Sequence, residues 1–225
     1  MFPVISSFRS LVLATVCLAA LSGCAGSVSP EVQRLPERVE LTSVPFFRGQ
    51  LYQGAPQALA SLLTLQGTVT TPGLLEKPLR LPGGEARLQQ NLQALAREHG
   101  LVVYPLESAL PALLEQVAAG YPVLLRYTEG SAFWTEPRYG ILAGYDRTKR
   151  TVLLRSGMNR RLTMGFGAFE AAVQSAGGWA VLIQRPTQLP ARVDPGRWRE
   201  AAGALAEAGQ SQAAARAVGA LDAAR

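Results

Sequence analysis

Arg138-Tyr139-Gly140-Ile141-Leu142-Ala143-Gly144-Tyr145-Asp146 is the stretch that decides the fold. Tyr139 to Tyr145 is a β-rich run. A charged turn, Asp146-Arg147-Thr148-Lys149-Arg150, leads straight into a second run, Thr151 to Arg155. Two such runs joined by a short polar turn predict an antiparallel pair. Pro122 to Tyr127 and Gly178 to Gln184 are further β-rich runs on either side, with a short helix near Phe166 to Ser175 before the last.

Upstream the pattern is helical. Ala55-Pro56-Gln57-Ala58-Leu59-Ala60-Ser61-Leu62-Leu63 predicts a helix with Pro in its first turn. Residues 67–84, rich in Gly, Pro and Thr, predict a loop. Leu88, Leu92 and Leu95 follow at helical spacing, and Gly100 closes that run. Leu101 to Tyr104 is a short strand. Ser108 is placed to cap a helix carrying Leu110, Leu113, Leu114 and Val117. Helices first and an antiparallel sheet afterwards predict an α+β fold, not a doubly wound parallel sheet. Beyond a linker, Asp194-Pro195 opens two Ala-rich segments broken at Gly209-Gln210-Ser211, a C-terminal helical hairpin with Trp198 as glue. One helix pair is too little to stand alone as a solenoid.

With 225 residues, 48% of them hydrophobic and 17% charged, the chain is long enough for one ordinary domain and is not a disordered one. Two Cys and one His exclude a disulfide scaffold and any Cys/His zinc site, so no metal and no cofactor is expected.

The N-terminus reads as an address. Arg9 is the sole charge in the first 23 residues, and the apolar run Leu11 to Leu21 is shorter than the ~20 residues of a membrane span. It ends in Leu21-Ser22-Gly23-Cys24, which resembles the lipobox of bacterial lipoproteins. That resemblance implies removal of residues 1–23 as a signal peptide and acylation of Cys24, and Ala25 in the next position implies the outer membrane. Several acyl chains, at ~0.8 kcal/mol per buried methylene, give stable anchoring. Residues 24–38 then form a polar, lipidated tether, residues 39–185 the main domain and 186–225 the linker and hairpin. Cleavage discards Cys17, and lipid occupies the sulfur of Cys24, leaving no free thiol. The formal charge of +6 on an exported chain predicts anionic lipid, polysaccharide or an acidic partner, and no nucleic acid.

Three segments carry a second resemblance: Val44-Pro45-Phe46-Phe47 with Leu51-Tyr52-Gln53-Gly54-Ala55-Pro56-Gln57-Ala58-Leu59, then Arg138 to Asp146, then Thr151-Val152-Leu153-Leu154-Arg155-Ser156-Gly157. Over residues 39–185 the chain is similar to the papain-like cysteine peptidases of family thirty-nine, which process bacteriocins after double-glycine leaders. It resembles most their lipoprotein relatives with C-terminal tetratricopeptide helices. The resemblance implies a helical half packed against an antiparallel sheet, with a peptide cleft between them. In the family the nucleophilic cysteine opens the first helix, where a half-charge of the helix dipole stabilises a thiolate. Here that position holds Gly54. The general base is a His before a Tyr on a strand. Here it is Arg138, and an arginine keeps its proton and cannot shuttle one. The orienting Asp or Asn falls near Ser156, and Gln50 and Gln53 lie close to the family's oxyanion glutamine without its spacing.

No other residue supplies the missing chemistry. His99, the sole His, ends a different helix, and a serine mechanism at Ser156 or Ser131 has no base beside it. The expected remnant is a groove lined by Gln50, Gln53, Trp134, Arg138 and Tyr139. Arg138 pairs there with a ligand carboxylate or else with Glu136, and Phe133 and Trp134 line the groove or pack over the sheet edge. Arg155, Arg160 and Arg161 read as a solvated face. Three functions follow as expectations: a non-catalytic peptide- or protein-binding module in the envelope, a peptidase with residual or unrecognised activity, or a structural envelope lipoprotein. A thiol-directed probe separates the second from the others.

Overall fold

A computed structural model describes residues 29–131 and 134–224. The signal peptide, Cys24, Ala25 and Phe133 lie outside the described residues. Among the described residues seven strands form one antiparallel sheet, in the order β2-β7-β3-β4-β5-β6 with β1 added on β4. Their ranges are β1 Arg38–Glu40, β2 Val102–Pro105, β3 Val123–Ser131, β4 Trp134–Asp146, β5 Thr151–Ser156, β6 Asn159–Gly165 and β7 Ala180–Gln184. The helices are α1 Pro30–Gln33, α2 Ala55–Leu65, α3 Pro72–Glu76, α4 Leu88–Glu98, α5 Leu110–Ala118, α6 Phe166–Ser175, α7 Pro195–Glu207 and α8 Ser211–Ala223. The α+β class is as expected.

Successive strand residues point to opposite faces, and the sheet uses both. Leu124, Tyr139, Ile141, Ala143, Val181 and Ile183 pack against α2, α3 and α4. Leu125, Tyr127, Leu142, Val152, Leu154 and Leu182 pack against α5, α6 and the α7–α8 hairpin. The terminal hairpin is therefore part of the second core. Trp198 is 0% exposed, donates from Nε1 to the Ala217 carbonyl at 2.8 Å and stacks at a tilt on Tyr104 of β2, centroids 6.0 Å apart. It joins the hairpin to itself and to the sheet at once. Asp194 caps α7, accepting from the Arg197 amide at 2.7 Å.

The structure departs from expectation at several places. The described part of the expected tether is docked. Ser29 caps α1, and Val32, 1% exposed, sits in the core; one apolar residue sets up no readable period. Within 67–84 the Gly and Pro content hides α3 and the buried Leu75, Leu79 and Leu81. Ser108 caps nothing. Ala109 holds the cap position of α5, and the Ser108 hydroxyl accepts from the Gln174 amide at 2.9 Å, tying α5 to α6. Strand β6 leaves no β-rich run because it is an edge strand whose half-buried positions include only Leu162 and Met164 as apolar residues.

Candidate functional site

The turn into α2 is the most distorted backbone near the expected cleft. Tyr52 (φ 51°, ψ 43°), Gln53 (φ 60°, ψ 20°) and Gly54 (φ 81°, ψ 7°) are three left-handed residues in succession. For the two side-chain-bearing ones this costs roughly 1–2 kcal/mol each, and such strain persists only where the surroundings impose it. They do so here. The Gly49 amide donates to the Gly157 carbonyl at 3.1 Å, and the Ala55 amide donates to the Tyr52 carbonyl. Gly54 is buried, and a Cβ placed on it would lie 3.2 Å from the Tyr139 carbonyl oxygen. The conformation and the space both call for glycine.

That carbonyl belongs to a buried polar chain. The Ser156 hydroxyl donates to it at 2.9 Å. Ser156 is also hydrogen-bonded to Tyr127. Burial pushes the Tyr127 phenol up to about 12, the Ser156 hydrogen bond and the Arg138 charge opposing and Glu129 adding to the rise. Ser156 is thus a structural hydroxyl engaged on both sides. Burial also raises the Tyr139 phenol, against the pull of Arg126.

The expected groove residues divide. Gln53 and Tyr139 meet in a cavity of about 190 Å³ whose other walls are Arg126 and the residues from Glu85 to Gln90, at the start of α4. Gln50 is not among its walls and lies against Gly157. Arg138 projects from the face opposite Tyr139, pairing with Glu136 at 2.6 Å and Glu129 at 3.4 Å. Trp134, 60% exposed, stands far out on the β3–β4 hairpin. His99 is exposed at the C-terminal end of α4. A larger cavity of about 420 Å³ lies elsewhere, between α1, α5, the linker at Ala191 and Arg192 and the start of α7, where Arg192 and Arg197 are already paired with Glu115 and Glu107.

Three residues of the cleft are not evident from the sequence. Arg126 belongs to a strand whose other members are core. Gln57 looks like any polar helix position. Arg155 was expected on a solvated face with Arg160 and Arg161, and only those two are exposed. Arg155 is 4% exposed, opposite Ile141 on the α2 side of the sheet. The signal for it was present: it extends the apolar run Val152-Leu153-Leu154. Among the described residues no group of three or more His, Cys, Asp or Glu is arranged to hold a metal.

No protein-family model and no curated protein matches the chain. Solved structures do. A C39-like peptidase from Bacillus anthracis superposes with a TM-score of 0.50 at 17% identity, over 66% of this chain and 98% of that one. Xylellain, a cysteine protease from Xylella fastidiosa, aligns with a TM-score of 0.43 at 12% identity, over 70% of this chain and 90% of that one. At such identities the likeness speaks for the fold alone. The chain has an α+β fold of the papain-like peptidase kind, with a helical hairpin at its C-terminal end.

Proposed function

We propose that this chain is a bacterial lipoprotein, anchored through acylated Cys24 to the outer membrane and facing the periplasm. Its papain-like domain lacks the catalytic cysteine and histidine and serves as a non-catalytic peptide- or protein-binding module. The observation that carries this reading is Gly54. At the helix start where a cysteine peptidase hangs its nucleophile lies a left-handed glycine, and a Cβ added to it would sit 3.2 Å from the Tyr139 carbonyl oxygen. Arg138, in the position of the base, is held in ion pairs on the far face. Ser156 is locked between Tyr127 and Tyr139. What is left of a cleft is the cavity of Gln53, Arg126 and Tyr139, and that is where a ligand chain docks. Arg126, which lines it together with Arg87 and Glu85, suits acidic side chains or a chain terminus.

The test has two arms. Membrane anchoring is read by acyl-chain labelling and fractionation of the full chain and of Cys24→Ala; the variant is expected to lose both label and membrane association. The mature protein is then mixed with a defined pool of synthetic peptides and read by mass spectrometry. Peptides are expected to be retained uncut, and retention to fall at least tenfold in Arg126→Gln. Cleaved peptides would establish the peptidase alternative. Absence of any retention would favour a structural envelope role.

A further inference from the structure

Arg155 is a buried cation that, among the described residues, has no counter-ion. It lies on β5 beneath α2, in a recess it shares with Gly54, Gln57, Ser61, Tyr139 and Gly157. Its Nη2 donates to the Leu41 carbonyl at 2.9 Å. Its Nε and Nη1 are both out of solvent and have no hydrogen-bond partner. Among the described residues no carboxylate pairs with it. Glu40, whose charge favours the guanidinium, is taken by Arg161 at 2.6 Å and by Arg38 at 3.9 Å. Arg160 and Arg161 add positive potential at the same place. A guanidinium removed from water in this way is costly unless an anion or a full set of acceptors meets it. The Gln57 amide, on the same recess, also has its Oε1 unpartnered. Turned over, that amide presents its N–H group instead.

The recess has a volume of about 10 Å³, room for roughly one oxygen atom. It admits one oxygen and no whole anion, and behind that oxygen a carboxylate is planar and slender whereas a phosphate or sulfate is tetrahedral and crowds the mouth. We propose that the Arg155 recess is a carboxylate-binding site, one carboxylate oxygen entering to accept from a free N–H of Arg155. The site stands on the surroundings of Arg155 and holds whether or not the neighbouring cavity retains a peptide.

The test uses sodium formate as probe, against sodium 2-(N-morpholino)ethanesulfonate, a bulky anion, at equal ionic strength. A ligand that binds only the folded chain raises the folding equilibrium constant in proportion to its concentration, by about 11-fold at ten times its dissociation constant. Urea unfolding of the mature protein is expected to show that rise with formate, and none with the bulky anion or in Arg155→Gln. As a measure that needs no variant, a slowly exchanging arginine Nε–H resonance of the native protein is expected to shift on formate titration. Equal effects of the two anions, a formate response that survives in Arg155→Gln, or an unmoved Nε–H resonance overturns the site. Acetylglycine acting like formate, with acetylglycinamide inert, identifies a carboxylate borne on a peptide end. Formate acting alone identifies a free small anion.

Discussion

Replacing Gly54 by alanine tests the geometry on which the proposed absence of a nucleophile rests. Two costs arise. The first is the left-handed conformation at φ 81°, roughly 1–2 kcal/mol for a residue with a Cβ. The second is the contact at 3.2 Å with the Tyr139 carbonyl oxygen. That oxygen is fixed by the sheet and by Ser156, so relief by movement is small, and overpacking of this kind costs about 1–3 kcal/mol. The sum is roughly 2–5 kcal/mol. Gly120 provides the control. It has φ 90° and nothing within 4 Å of an added Cβ, so Gly120→Ala carries the conformational cost alone. Urea unfolding followed by tryptophan fluorescence should place Gly54→Ala at least ~1 kcal/mol below Gly120→Ala. Gly54→Cys should behave like Gly54→Ala, because the strain lies at Cβ and not at the sulfur. If Gly54→Ala and Gly120→Ala unfold at the same urea concentration, the Tyr139 carbonyl does not seal the site and Gly54 no longer speaks against a nucleophile there.

Other outcomes follow from the same geometry. Trp198→Ala is expected to cost about 3–5 kcal/mol in thermal or urea unfolding and to release the α7–α8 hairpin to proteolysis; retention of a protected hairpin would show that Trp198 is not its anchor. Tyr127 makes stability fall at high pH. Its phenol titrates near 10 unfolded and at about 12 folded, so its contribution is fully present below pH 10 and disappears as the pH rises to 12. That difference between the folded and unfolded chain corresponds to roughly 3 kcal/mol, and the unfolding free energy of Tyr127→Phe should therefore fall less steeply between pH 10 and 12 than that of the native chain. Arg138→Gln is expected to cost about 1 kcal/mol or less, since its carboxylate partners are more than a third exposed, and to leave peptide retention unchanged. A loss of retention comparable with that of Arg126→Gln would put Arg138 back in the cleft.

The fold was legible where burial is periodic. The four strands read from β-rich runs and the helices read from Leu88, Leu92 and Leu95 or from Leu110 to Val117 lie where their patterns place them, because apolar side chains on one face leave a period in the chain. Strand β6 and helix α1 left none: one is a polar edge, the other rests on Val32. At the cleft, residue types alone show that Gly54 offers no side chain and Arg138 no titratable nitrogen. They do not show which way Arg138 faces, since a one-residue change of register reverses every side chain of a strand. The burial of Arg155 was hidden for the same reason, because charge in a β-rich run suggests an exposed face until the opposing layer is seen.

The parity of β4 also shows how the junction between helices and sheet is filled. Tyr139 faces α2 and packs edge-on against Trp179, centroids 5.8 Å apart. Its own carbonyl closes the space above Gly54 and is pinned through Ser156 to Tyr127 on the other face. One residue thus fills the junction between the helical layer and the sheet with an aromatic ring on one side and a satisfied carbonyl on the other. A nucleophile, a base and their orienting group are a set of polar atoms that a folded core must otherwise shelter at a cost. Here the Tyr139 carbonyl, Ser156 and Tyr127 satisfy one another, while Arg126 and Arg155 bring positive charge to either side of Tyr139, Arg126 sharing its cavity with Arg87 and Glu85. Under the binding role proposed above, these two positive charges are what would hold an anion, and retention of a carboxylate-bearing peptide is the activity to assay.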